Sequence, residues 1–252
     1  MVTTDAYQGP NMANFFFDKL KVRSVYGLDD SGAFGAGVSA AFEEQARKRG
    51  MAVLGHDRLD PKAADYSAVI TKIKSLAPQG LYYGGDSQAG VKVAKQSYEA
   101  LPNVIKAGGD GIFDPSMLEG AGFPAVDGWY ATVPAPHALE SSAAQPWVER
   151  FMKRSGNYPM DYSITCYDAV MIIADAIKRV AASGQPVNRA TVRDAIQTTK
   201  LNTLQGEISF DANGDLNQWV VSVFQAKHDP NYPPGDILHQ YKYVGVALAA
   251  NT

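Results

Sequence analysis

LYYGGDSQAGVKVAKQSYEA, residues 81–100, decides how the chain is read. A short apolar run, QGLYYGG (79–85), stops at Gly84-Gly85, and Val91, Ala94 and Tyr98 then follow in a helix-like pattern. A strand therefore passes through a tight glycine turn into a helix. The run NVIKAGG (103–109) closes in the same way, on Gly108-Gly109-Asp110. Three more strand-like runs keep the rhythm: VRSVYGLDD (22–30), MAVLGHDRL (51–59) and GWYATVP (128–134). Helical patterns fill the gaps. One over 36–49 ends at Gly50, a C′ position, and ADYSAVITKIKSL starts from Asp65 as N-cap. Strands alternating with helices of this length predict βαβ units and a doubly wound parallel sheet.

After Pro134 the pattern changes. APHALESSAAQP is small and polar, like a linker, and three helical patterns follow at 144–155, 161–183 and 188–199. GEISFD and LNQWVVSVFQAK come next, joined at Ala212-Asn213-Gly214-Asp215, where Asn-Gly between alternating runs predicts a hairpin. This region has too few strands to build a sheet of its own.

Composition narrows the function. The 252 residues are 46% apolar and 19% charged, as in ordinary globular chains. The formal charge is −3 and no Lys/Arg run forms a phosphate-binding stripe, which argues against nucleic acid as partner. No stretch approaches the roughly 20 apolar residues of a membrane span. Cys166 is the only cysteine, so neither an intrachain disulfide nor a cysteine-based zinc site is possible, and its helical setting predicts a buried, inert thiol. The start, MVTTDAYQGP, carries no basic-plus-apolar export signal.

Acids stand at three strand ends: Asp29 and Asp30, Asp86, and Asp110. A carboxylate at a helix N-terminus is a routine cap. Two Gly-Gly-Asp turns at equivalent positions point further, to a wall where glycines let a ligand approach and acids receive an ammonium or other donor. Gly85-Asp86-Ser87-Gln88-Ala89 also fits a hydrolase nucleophile elbow with Ala in the last place. However, His137, His228 and His239 follow no recognisable acid-bearing strand end, and no His-Gly-Gly cluster precedes residue 81. Ser87 is therefore read as a helix-start hydrogen-bonding group and the protein as a binder, not an enzyme. The glycines of Gly32-Ala-Phe-Gly35-Ala-Gly37 are in the wrong order for a dinucleotide site, so no cofactor is expected. Asp211–Asp215 lacks the glycine and glutamate of a calcium loop, and the four histidines lack metal-ligand spacing. Tyr82, Tyr83, Trp129 and Tyr130 are expected in the core. Tyr162 and Tyr167 are core by default, although the start of their helix can face a cleft.

Several motifs occur in a fixed order: an aspartate then Phe34-Gly35-x-Gly37 after a strand, DYSAVITKIK (65–74), LYYGGD (81–86), GGDGIFD, GWYATVP and GEISFDANGDL. Together they resemble the branched-chain amino-acid-type substrate-binding proteins of ABC importers, over nearly the whole chain. The resemblance implies the type I periplasmic-binding-protein fold, two α/β lobes closing on a small molecule. Residues 1–133 would be lobe 2, 134–222 the later part of an incomplete lobe 1, and 223–252 a return to lobe 2. Roughly the first third of a family member, with its export signal, would be missing. The resemblance also implies Asp110 as the acid for a ligand ammonium, Phe34 as a covering aromatic, and Tyr162 as an aromatic of the cleft. Relatives often carry an aromatic where Asp86 stands, so Asp86 puts a purely aliphatic amino acid in doubt and favours a ligand with a second donor. The implied ligand is an amino acid or similar small amine or amide, the implied partner an ABC permease, and the implied location the periplasm or a membrane-tethered extracellular position. A ligand-sensing regulator on the same fold is the alternative, and a Ser87 esterase a further one. The truncated chain is expected to expose apolar helix faces in 135–221 and to self-associate.

Overall fold

A computed structural model describes residues 1–248. The chain opens with α1 (Asp5–Asp18) and then alternates β1 (Ser24–Asp29), α2 (Ala33–Lys48), β2 (Ala52–Arg58), α3 (Ser67–Leu76), β3 (Gly80–Gly84), α4 (Ser87–Ala100), β4 (Ile105–Gly108), α5 (Pro115–Ala121) and β5 (Tyr130–Val133). It continues through α6 (Gln145–Ser155), α7 (Asp161–Ala182), α8 (Arg189–Gln197) and the short strands β6 (Lys200–Thr203) and β7 (Gly206–Ser209). β8 (Val221–Ala226), α9 (Ile237–Gln240) and β9 (Tyr241–Ala247) close it. These elements fall into two compact units. A sheet unit holds Asp5–Pro134 and the chain from Val221 onward; a helical unit holds Met1–Thr4 and Ala135–Val220.

In the sheet unit the strand order is β2-β1-β3-β4-β5-β8-β9, with the first five parallel and β8 antiparallel to both its neighbours, β5 and β9. Every residue of β3 is buried, and so are five of the six in β1, as expected for strands covered on both faces. The order reverses between β1 and β3: the chain steps outward to β2, then returns past β1 to β3. In open parallel sheets that reversal opens a crevice beyond the strand carboxyl ends.

The sequence pattern assigns no element before residue 22, yet α1 is a full helix. Its Gly9-Pro10 pair reads as a turn signal, but Pro10 lies inside the helix. Gly9 lets α1 press against α2, since a β-carbon there would stand 2.4 Å from the Val38 carbonyl oxygen. The contact seals a core of Met12, Phe16, Val25, Val38, Phe42 and Tyr82, in which Phe42 stacks on Tyr82 at 4.1 Å and meets Phe16 edge-on at 5.5 Å.

Other expectations need correction. The α3 N-cap is Tyr66, one place after Asp65, whose carboxylate accepts from the Ser67 N–H at 2.9 Å. The Asn213-Gly214 turn forms, with Asp211 accepting from the Asn213 and Asp215 N–H groups, but only the Phe210–Leu216 bridge follows it. β7 instead pairs backward with β6, while β8, buried at five of its six positions, joins the large sheet between β5 and β9. Long-range burial of a two-sided apolar strand outweighs a local turn preference.

Cys166 is exposed on α7. One face of α7 buries Ile164, Ile172, Ala176 and Val180, whereas Val170, Met171, Ile173 and Ile177 are 63%, 41%, 45% and 40% exposed. A helix apolar on all sides shows which face is packed only once its neighbours are known. Among the described residues no helix is long and apolar enough to cross a membrane.

Phe42 carries the first prediction. Phe42→Ala should lower the unfolding free energy by about 3–5 kcal/mol, the usual cost of deleting a buried aromatic, whereas Phe42→Leu should cost less than half of that. Urea denaturation followed by circular dichroism measures both.

Candidate functional site

The turns beyond β1, β3 and β4 are held together by one side chain. Asp30 accepts from the Gly32 N–H at 2.9 Å with one oxygen and from the Asp86 N–H at 3.0 Å with the other. It thus ties the start of α2 to the start of α4 across the reversal point. The fit needs glycine on both sides. A β-carbon on Gly35 would stand 2.4 Å from Asp30 Oδ1, and one on Gly85, whose φ is +149°, would stand 2.6 Å from Asp30 Cγ.

Asp86 is the N-cap residue of α4 by backbone position, yet its side chain accepts no hydrogen bond from the helix. An ordinary capping role therefore does not account for this carboxylate. It is exposed, and its pKa is raised, first by burial of part of the group and then by the charges of Asp30, Asp110 and Asp114. Asp114 behaves differently. It caps α5, accepting from the Ser116 N–H at 2.8 Å and also from the Ser116 hydroxyl.

Asp110 opens a single 3-10 turn after β4. Its Oδ1 accepts from Gln8 Nε2 at 2.8 Å, and the same nitrogen lies 3.1 Å from Thr132 Oγ1. Gln8 is fully buried on α1, so it aims Asp110 from behind the strand ends. Phe34, half-buried in the first turn of α2, reaches the same turn: its ring edge would stand 3.3 Å from a β-carbon on Gly109. Gly111 brings the Asp86 turn close, since a β-carbon there would stand 2.8 Å from Asp86 Oδ1. Asp5, at the start of α1, is also shifted upward, by burial and by the charge of Asp110. On β3, the Tyr82 and Tyr83 hydroxyls are both pushed well above the usual range, mainly by burial, and the Tyr83 hydroxyl donates to the Asp86 carbonyl at 2.8 Å.

Four of the five expected site residues, Phe34, Asp86, Ser87 and Asp110, thus stand on neighbouring turns of the sheet unit. Tyr162 lies in the helical unit, half-buried in the first turn of α7. The Ser87 hydroxyl meets the Ser116 hydroxyl at 2.7 Å and joins two helix starts. No imidazole serves it. His56 bonds Asp29 and Glu43, His137 bonds Asp161, His239 bonds Asp236, and His228 stacks on Phe123. Among the described residues no group of three or more His, Cys, Asp or Glu could hold a metal ion. Sequence reasoning missed Gln8 and Asp114, and treated Asp30 only as one more strand-end acid.

Residues 1–230 match the model of a family described as periplasmic binding protein. The chain belongs to that family. This periplasmic binding protein chain is 26% identical over 223 residues to Leu/Ile/Val-binding protein homolog 3 of Brucella melitensis, covering 88% of this chain and 59% of the relative. It is 24% identical over 226 residues to the leucine-, isoleucine-, valine-, threonine- and alanine-binding protein of Pseudomonas aeruginosa, again covering 59% of that protein. The chain thus spans about three-fifths of the length of these relatives. A crystal structure of a leucine-binding protein from Thermotoga maritima superposes with a TM-score of 0.83 at 25% identity, over 98% of this chain and 66% of that one. A Streptococcus pneumoniae branched-chain amino-acid binding protein solved with isoleucine shares the fold, with a TM-score of 0.76 at 18% identity. The resemblance to branched-chain amino-acid-type binding proteins and the type I periplasmic-binding fold both hold.

Asp86 yields a sign-defined prediction. A carboxyl group whose pKa is raised on folding stabilises the protein while it is protonated, and that stability is lost as pH rises through the folded pKa. Asp86→Asn should therefore raise the melting temperature of the ligand-free protein at pH 7. The gain should disappear as the pH falls below the carboxylate range. Thermal melts at pH 7 and pH 3.5 check both halves.

Proposed function

We propose that the chain serves as the extracytoplasmic solute-binding component of an ABC importer and binds an amino acid or a related small amine or amide. The observation that carries this reading is the Asp110 carboxylate. A buried glutamine aims it and Phe34 flanks it at the open end of a parallel sheet, beside an Asp86 carboxylate that caps nothing. The arrangement suits an ammonium group and contains no nucleophile–base pair. The names of the relatives, which specify leucine, isoleucine and valine among their ligands, support an amino acid as the ligand class. An ABC permease is the corresponding partner, and the periplasm, or a tethered position outside the cell, the corresponding location.

Titration calorimetry with a panel of amino acids and amides tests the proposal; silence across the panel would remove it. Asp110→Ala should weaken binding of an amine ligand by roughly 10- to 150-fold, as expected for loss of a charge-assisted hydrogen bond of about 1.5–3 kcal/mol. An unchanged Kd would refute the role given to Asp110. Ser87→Ala should shift the Kd less than threefold.

The exposed Val170, Met171, Ile173 and Ile177 face of α7 supports a second element of this reading, self-association of the chain, with a second copy as the occupant. Sedimentation velocity should show a species heavier than the 27.1 kDa monomer. A Val170→Glu/Ile173→Glu variant should sediment as the monomer, and a monodisperse unsubstituted monomer would end this part of the proposal.

A further inference from the structure

The acidic wall holds more negative charge than one ammonium group answers. Asp86 lies in the field of Asp30, Asp110 and Asp114, and Asp110 in turn acts on Asp5. Among the described residues no ion pair includes Asp30, Asp86 or Asp114. Backbone amides occupy both oxygens of Asp30, and Ser116 occupies Oδ1 of Asp114. The Asp86 side chain has no such partner, for α4 begins without using it.

A second observation, independent of charge, points the same way. Gln8 is 0% exposed, its Nε2 holds Asp110, and its Oε1 has no hydrogen-bond partner. The reverse orientation of the amide would set an oxygen against the Asp110 carboxylate, so the free group on this carboxamide is an acceptor. The Tyr82 hydroxyl, also 0% exposed and unpartnered, lies in the field of Asp110 and Asp5. The wall therefore holds acidic acceptors at two neighbouring turns, and the glutamine that grips one of them keeps a buried carboxamide oxygen without a partner. It asks for several donors and for positive charge. An aliphatic side chain laid against Asp86 would strip water from an ionised carboxylate and supply no counter-charge, which is unfavourable.

From this we infer that the ligand carries two positively charged amino groups, one received at Asp110 and the second at Asp86, as in an amino acid with a basic side chain or a short diamine. The inference rests on the solute-binding function proposed above and narrows its ligand class. The first group would take the place beside Asp110 and Gln8, next to Phe34. The second would neutralise Asp86 and relieve its repulsion from Asp30 and Asp114.

Titration calorimetry on the full-length protein, with L-lysine, L-ornithine, 1,5-diaminopentane and L-leucine as probes, tests this. At least one dicationic probe should bind tenfold or more tightly than leucine. Binding of the two amino acids but not of the diamine would assign a basic amino acid; the converse would assign a diamine. Asp86→Asn keeps a residue suited to the helix start and should lower the ratio of dication to leucine affinity at least tenfold. Because Asp114 is also used by Ser116, Asp114→Asn should lower that ratio less. Tight leucine binding with no dication binding would overturn this inference and leave the solute-binding function standing. Absence of binding by all four probes and by the wider amino-acid panel would overturn both.

Discussion

Everything at the open end of the sheet depends on how closely α2 approaches β3. A β-carbon on Gly84 would stand 2.2 Å from the Gly35 carbonyl oxygen, so neither position admits a side chain without moving the helix. With that approach fixed, Asp30 can span from the Gly32 amide to the Asp86 amide. The start of α4, the direction of Asp86 and the neighbouring Gly111 turn all follow. The acids thus form a wall because a backbone contact leaves their turns no other place. The hydrogen bonds of Asp30 record that constraint and add the polar part of it.

The arrangement also separates positioning from binding. Asp30, Asp114 and Ser87 spend their polar atoms on amides and hydroxyls of adjacent turns. Gln8 works from behind, across more than a hundred residues of sequence, to orient Asp110. Asp86 is left without a structural duty. A site whose carboxylates are held by neighbouring amides, hydroxyls and a buried carboxamide N–H keeps its geometry before any ligand arrives, which lowers the ordering cost of binding.

Much of this was legible in the sequence because it is local. The glycine turns, strand-end acids and helix starts are written within stretches of about ten residues, and all five parallel strands lie inside the runs that periodicity marks. Gln8 was not legible: its burial comes from α1 lying on α2, and Gly9-Pro10 masks the helix itself. Cys166 and its neighbours on α7 share one limitation. Periodicity identifies a helix, but with apolar residues all round it cannot say which face meets a partner. Asn213-Gly214 shows the complementary failure, in which the turn forms as its residues dictate while the strands around it pair elsewhere. Asp114 was hidden for a simpler reason, since its part in the wall depends on where α5 begins in space.

The place of β8 has a consequence for synthesis. Its partner β5 ends at Val133, but β8 begins only at Val221, so β5 waits for its antiparallel neighbour while the whole helical segment is made. At roughly 5–20 residues per second, that interval lasts on the order of 5–20 s. During it, β5 is an edge strand with unpaired backbone groups, open to pairing with another nascent chain. The sheet is therefore finished only after the helical segment has been made, and the chain is most vulnerable to misassembly just before β8 arrives.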